Sequence, residues 1–255
     1  KIDVFAHTGG MPAKNVIKSY ASEGIYHVYN RGVNKAEIFF DDQDYRVFLS
    51  YLATSLTEKD EKGLRAIMMD ESISYKERRV AARELRLKNF TGKINLLAYC
   101  LMPNHFHFLL QQKNETDMSA FVQAVMTRFT MYENRQHKRI GRVFQGPYKA
   151  VLITSDAQLL HVSRYIHRNP ISLKRPRLFR LDPENRSQML RSQPSSYPNY
   201  LGEIHQEWVK PKTIQSYFSK VKTGLHSYQE FVEMQDHDFE VESKGYTAKA
   251  EIDED

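Results

Sequence analysis

The stretch Leu96-Leu-Ala-Tyr-Cys-Leu-Met-Pro-Asn-His-Phe-His-Phe-Leu-Leu110 decides the fold. It is an apolar run broken once, at Pro103-Asn104, and interrupted after the break by two histidines around one phenylalanine. Proline fixes φ and asparagine tolerates turn geometry, so the run reads as strand, turn, strand. Side chains alternate along a strand, which sends His105 and His107 to one face and Phe106 and Phe108 to the other. Two imidazoles then stand side by side above an apolar anchor. A bare His-x-His is a short pattern, most often a pair of half-exposed strand histidines, and it gains weight only from its surroundings.

Before this stretch, Ile25-Tyr-His-Val-Tyr29 alternates and reads as a first strand ending in Asn30-Arg-Gly32, with His27 as a structural residue. Asp41 or Asp42 caps a helix to about Leu56, with Tyr45, Phe48, Leu49 and Leu52 at helical spacing. Residues 57–93 are charged with mixed sign and predict one or two surface helices inserted between core elements. After it, Asp117 to about His137 carries an apolar stripe of Phe121, Val125, Phe129 and Tyr132. Val143 to Ile153 is a further strand, bent or bulged at Gly146-Pro147. Ser155-Asp-Ala-Gln158 has capping-box form and opens a helix to Asn169, where Pro170 stops it. Leu159, Val162 and Ile166 make its buried side, and His161, Tyr165 and Asn169 form a stripe beside them. Strand, helix, insert, strand, strand, helix, strand, helix predicts an α+β sandwich, ferredoxin-like, with a mainly antiparallel sheet and helices on one face.

With 255 residues and 41% hydrophobic content, the chain can bury a real core. It holds no apolar run of membrane-spanning length and opens on no charged-then-apolar leader, which predicts a cytoplasmic protein. The single cysteine, Cys100, excludes a disulfide framework and a cysteine-rich zinc site. The net charge of +6 is uneven: Arg128 to Arg180 holds twelve Lys/Arg against Glu133 and Asp156, a local +10. Interleaved with Phe129, Tyr132, Phe144, Tyr148 and Tyr165, such a block suits phosphate contacts and base stacking, or simply a solvated basic face.

If the helix of His161, Tyr165 and Asn169 packs over the two-histidine face, a tyrosine hydroxyl arrives beside two imidazoles. Two neutral imidazoles and one oxygen ligand can hold a divalent metal with open positions, able to polarise a phosphoryl oxygen. A tyrosine can attack phosphorus and form a phosphotyrosine, preserving the phosphodiester energy for rejoining.

Four segments, Tyr26-His-Val-Tyr-Asn-Arg-Gly32, Met102-Pro-Asn-His-Phe-His-Phe-Leu109, Gly141-Arg-Val-Phe-Gln145 and Tyr165-Ile-His-Arg-Asn-Pro170, together resemble the IS200-like single-tyrosine transposases, most of all the REP-associated tyrosine transposases. The likeness runs in order over roughly residues 24–202, with 57–93 as an insertion. It implies an HUH transposase: a metal-dependent endonuclease that cleaves and rejoins single-stranded DNA near hairpin (palindromic) elements through a 5′-phosphotyrosine. It further implies Tyr165 as nucleophile, His105 and His107 as the metal pair, and Mg2+ or Mn2+ as the ion. Asn169 stands where insertion-sequence members carry a metal-binding glutamine; His161 is the other candidate for third ligand. Phosphate contacts are expected at Arg31, Arg128, Arg142, Lys149, Arg164 and Arg168, in a nucleoid-associated monomer or homodimer of a prokaryote. The expected organisation is an N-terminal extension (1–23), the nuclease domain (24–180), a helical extension (181–235) and an acidic tail (236–255). A hairpin-binding regulator that has lost catalysis, a rolling-circle nickase and a purely structural metal site are the rival readings. Intact His105, His107 and Tyr165 weigh against the first, the tyrosine helix and Ser-Ser-Tyr motif against the second, and the open donor set against the third.

Overall fold

The computed structural model describes residues 20–172, 183–218 and 227–234. The basic linker at 174–180, the acidic tail and most of the N-terminal extension lie outside the described residues. Strand β1 (Ile25–Arg31) leads to helix α1 (Asp42–Leu56), then to an insert of α2 (Glu61–Met69) and α3 (Tyr75–Arg86). Strands β2 (Ile94–Met102) and β3 (His105–Gln112) follow, then α4 (Asp117–Gln136), β4 (Lys149–Leu152) and α5 (Asp156–Ser172). The four strands form one sheet in the order β2-β3-β1-β4, and every pairing is antiparallel. With helices crossing after β1 and after β3, this is the expected ferredoxin-like α+β topology.

One face of the sheet is sealed by α1 and α4. Asp41 caps α1 by accepting the Asp44 N–H, and the helix turns Phe48 and Leu52 inward. These meet Phe106 and Phe108 of β3 and Phe121, Val125 and Phe129 of α4, all buried in one cluster. Each buried phenylalanine contributes about 2–3 kcal/mol of transfer free energy. On the other face Ala98, Cys100, Met102 and Leu109 pack against Leu159, Val162 and Ile166 of α5, the buried side expected from spacing. A bulge between Leu96 and Ala98 resets the alternation of β2, so that Leu96 joins the first core and Ala98 the second. Short helices α6 (Pro183–Ser192), α7 (Tyr197–Tyr200), α8 (Lys212–Gln215) and α9 (Tyr228–Glu233) complete this second layer. No described helix is long and apolar enough to cross a membrane.

Two boundaries differ from expectation. Helix α5 runs through Pro170 to Ser172. A proline removes only one N–H there, in a final turn where the helix is already ending. The strand expected over 143–153 is split: Phe144 bridges to Gly32, and regular pairing with β1 begins only at Lys149. Pro147 cannot donate to a ladder, so Gly146-Pro147 separates the two pieces.

In the insert, α3 opens with a capping box of Ser74 and Glu77, and α2 and α3 pack chiefly on each other. Its ends lie together, because Lys59 donates to the carbonyls of Leu85 and Leu87 and the Phe90 N–H bonds the Ser55 carbonyl at 2.7 Å. Phe90 itself belongs to the core, edge-on to Phe121. Replacing Glu58–Lys88 by a short Gly/Ser linker is therefore expected to leave a cooperatively folding protein. A broad or absent thermal transition in that variant would make the insert part of the core.

Candidate active site

Strand register builds the site. Tyr29 pairs with His107, Arg31 with His105 and Lys149 with Tyr29. Alternation therefore sets His27, Tyr29 and Arg31 on the same face as the histidine pair, with Lys149 at the edge. Helix α5 crosses this face and brings two side chains to it. The Asn169 carboxamide spans the imidazoles, Oδ1 at 2.9 Å from His105 Nε2 and Nδ2 at 3.3 Å from His107 Nε2. The half-buried Tyr165 ring stands edge-on to His107, with centroids 5.4 Å apart. One further turn toward the N-terminus, His161 is half-buried. Ser155 starts this helix by accepting the Gln158 N–H, while Gln158 reaches back one residue further than a capping box requires, to the Thr154 N–H.

Burial pushes the pKa of His105 down, aided by Arg31, and that of His107 well down, aided by His27 and His105. Both rings are thus neutral at physiological pH and have lone pairs to give. Asn104 donates its amide to the Lys35 carbonyl, which leaves Oδ1 to accept from His105 Nδ1 at 2.6 Å. The His105 proton is then on Nδ1, and its bare Nε2 faces the Asn169 oxygen. Nitrogen and oxygen stand 2.9 Å apart, a separation at which both could ligate one ion. Among the described residues no group of three or more His, Cys, Asp or Glu side chains is placed to hold a metal ion. The donor set available here is instead two imidazole nitrogens and one amide oxygen, which leaves coordination positions open.

The cations expected on the phosphate path divide. Arg31 and Lys149 lie on the site face, Arg31 donating to Gln145 Oε1 at 2.6 Å and Lys149 resting 5.7 Å from the Tyr29 ring. Arg142 is exposed next to Val143, whose carbonyl takes the Val33 N–H just past β1. Arg128 stands on the opposite side of the sheet, stacked 4.0 Å over Tyr51 of α1. Arg164 and Arg168 turn to the carboxyl end of α9: Arg164 donates to the carbonyls of Phe231 and Met234, and Arg168 to those of Val232 and Met234, each at 2.7 Å. The last carbonyls of a helix lack intrahelical partners, which makes them ready acceptors for a guanidinium.

The sequence marks His27 only as structural and Asn104 only as a turn residue, and assigns His167 no part. His27 was legible as the alternate neighbour of Tyr29 and Arg31; it is buried, with Nε2 2.9 Å from His107 Nδ1. His167, inside the Tyr-Ile-His-Arg-Asn-Pro segment, is fully buried between the Tyr228 hydroxyl and Ser196 Oγ, both at 2.7 Å. Ser196 Oγ in turn accepts the Tyr99 N–H, so the Ser-Ser-Tyr motif fastens α5 to the β2 edge.

An antiparallel sheet that carries paired imidazoles beneath a tyrosine-bearing helix defines the class: an α+β domain with a polar tyrosine site on the sheet face. The family model for IS200-like transposases matches residues 77–169, from within α3 to Asn169. No curated protein matches significantly. Among solved structures, a REP-associated tyrosine transposase bound to a REP hairpin is 12% identical, covering 78% of this chain and 92% of that chain, with a TM-score of 0.40. A candidate transposase from Deinococcus radiodurans R1 is 15% identical, covering 62% and 97%, with a TM-score of 0.25.

The α5 clasp makes two predictions. Arg164→Ala should destabilise the fold by about 2 kcal/mol in denaturant unfolding, the scale of a lost charged hydrogen bond. An unchanged midpoint would deny the clasp any role in stability. His167 has its pKa pushed by burial from 6.5 to about 3, so between these values the unfolded chain binds a proton that the folded chain does not. Its contribution to stability is complete above about pH 6.5 and falls as the pH is lowered, by up to about 1.4 kcal/mol per pH unit. His167→Gln should flatten that slope by one proton, read as the pH dependence of the unfolding free energy.

Proposed function

We propose that this protein is a metal-dependent single-stranded DNA transposase in which Tyr165 is the nucleophile. The observation that carries this reading is the convergence of His105 Nε2, His107 Nε2 and Asn169 Oδ1 beside the Tyr165 ring. The Tyr165 hydroxyl oxygen attacks the scissile phosphorus, the bond from phosphorus to O3′ breaks, and the phenolic proton passes to the leaving O3′. The products are a 5′-phosphotyrosine and a free 3′ hydroxyl; attack by a second 3′ hydroxyl runs the step backward and joins two ends. A bound Mg2+ or Mn2+ would supply polarisation of a non-bridging phosphoryl oxygen. His105, His107 and Asn169 would hold that ion.

The chain's own groups do the rest. Packing of α5 holds Tyr165 over the sheet without occluding it, and Arg31 and Lys149 offer positive charge to the DNA backbone on the site side. Hairpin-bearing single strands are the proposed substrate, on the strength of the four motif segments. The neutral imidazoles suit the pH at which such a reaction runs, since protonation would cost the lone pairs.

The test is a labelled single-stranded oligonucleotide containing a hairpin. The full chain with Mg2+ or Mn2+ should give a denaturant-resistant adduct that Tyr165→Phe does not give. His105→Ala and His107→Ala should abolish cleavage while sparing hairpin binding, and Asn169→Ala should weaken it. An adduct persisting in Tyr165→Phe would overturn the nucleophile, and cleavage that survives EDTA would overturn the metal.

A further inference from the structure

Strand β1 brings a third histidine against the pair. The Nε2 of His27 lies 2.9 Å from His107 Nδ1, with the ring centroids 5.1 Å apart and the ring planes 20° from parallel. Tyr29 stacks on His27 at 5.0 Å, and Tyr165 stands edge-on to it at 6.0 Å. With 3% of its surface exposed, His27 is held in a fixed ring position. We propose that His27 is a positioning residue that accepts the Nδ1 proton of His107 and so keeps the Nε2 lone pair of His107 turned into the site. This rests on the metal-dependent reading above.

The direction of that hydrogen bond follows from the groups around it. The Asn169 Nδ2 lies 3.3 Å from His107 Nε2 and donates, so Nε2 carries the lone pair and the His107 proton is on Nδ1. Nδ1–H then donates to His27, whose own proton sits on its Nδ1. Asn104 does for His105 what His27 does for His107, taking the Nδ1 proton and freeing Nε2. Both ring tautomers are thus set before any ligand arrives, by one acceptor each. An outer acceptor of this kind fixes ring orientation and raises ligand basicity. The acceptor behind His107 is an imidazole rather than a carboxylate. A carboxylate there would put a negative charge near the phosphodiester; an imidazole orients His107 without that repulsion.

The experiment compares the full chain with His27→Phe, which keeps a stacking ring but no acceptor, and His27→Gln, which keeps an acceptor near the Nε2 position. Nitrogen-15 NMR of histidine-labelled, metal-free protein should show His107 protonated on Nδ1 in the wild type and in His27→Gln. In His27→Phe it should show a shift toward the Nε2-protonated form. Titration with Mn2+, read by the electron paramagnetic resonance of the free ion, should show binding weakened about 10- to 100-fold in His27→Phe and restored in His27→Gln. Hairpin affinity in EDTA should be the same in all three. Nε2 protonation of His107 in the wild type, or an unchanged tautomer and Mn2+ affinity in His27→Phe, would overturn the proposal. Failure of the wild type to bind Mn2+ would overturn the metal instead, and the metal-free tautomer would still decide the role of His27. Should His27→Phe not fold, the wild-type tautomer and the Gln variant decide it.

Discussion

The Asn169 carboxamide is the joint on which the site depends, because it reaches from α5 to both imidazoles of β3. A contact of 2.9 Å tolerates displacement of only a few tenths of an ångström, so the depth of α5 over the sheet has to be set by something stiffer than the contact itself. Leu159, Val162 and Ile166 set it, packed on Ala98, Cys100, Met102 and Leu109. Close packing resists small shifts in a way that a lone hydrogen bond cannot. His167, bonded on both ring nitrogens, fixes the rotation of the helix about its axis. The polar geometry is therefore a consequence of an apolar surface, and a mutation in that surface would be felt at Asn169 before it was felt in the fold.

The same coupling protects the histidine pair. His105 and His107 alternate with Phe106 and Phe108, both fully buried against α1 and α4. A slip of one residue in the β1–β3 register would exchange the faces, carrying two phenylalanines into the polar site and two imidazoles into an aromatic core. The cost of that exchange is several kcal/mol, far above the worth of any single hydrogen bond in the site. Register is specified by the phenylalanines, and the histidines inherit it.

What could be read in the sequence follows the same division. Period-two alternation in 105–110 and period-3.6 spacing in 159–166 are strong signals, and they carried the fold, the shared face of the histidine pair and the buried side of α5. Pairing partners are not in any local period. His27 was therefore read as structural, although alternation had already placed it with Tyr29 and Arg31; only the β1–β3 register shows that it meets His107. Helix ends and strand ends were less legible, because Pro170 is tolerated in a last turn and Gly146-Pro147 breaks a run that hydrophobicity alone would continue.

Charge was the least transferable reading, and the reason is geometric. Twelve cations between Arg128 and Arg180 form one block in sequence, yet the fold distributes those that lie among the described residues. Arg128 stacks on Tyr51 across the sheet, Arg139 pairs with the buried Glu133, and Arg164 and Arg168 close the end of α9. Only a side chain's place on its element decides which cations reach the site face, and there strand register selects Arg31 and Lys149. The use of Arg164 and Arg168 has its own logic. Guanidiniums committed to backbone carbonyls tie the tyrosine helix to the C-terminal layer whether or not a phosphate is present. Tyr165 and Asn169 are thus placed by the fold in advance, and under the proposed function none of the binding energy of a nucleic acid would have to be diverted into assembling them.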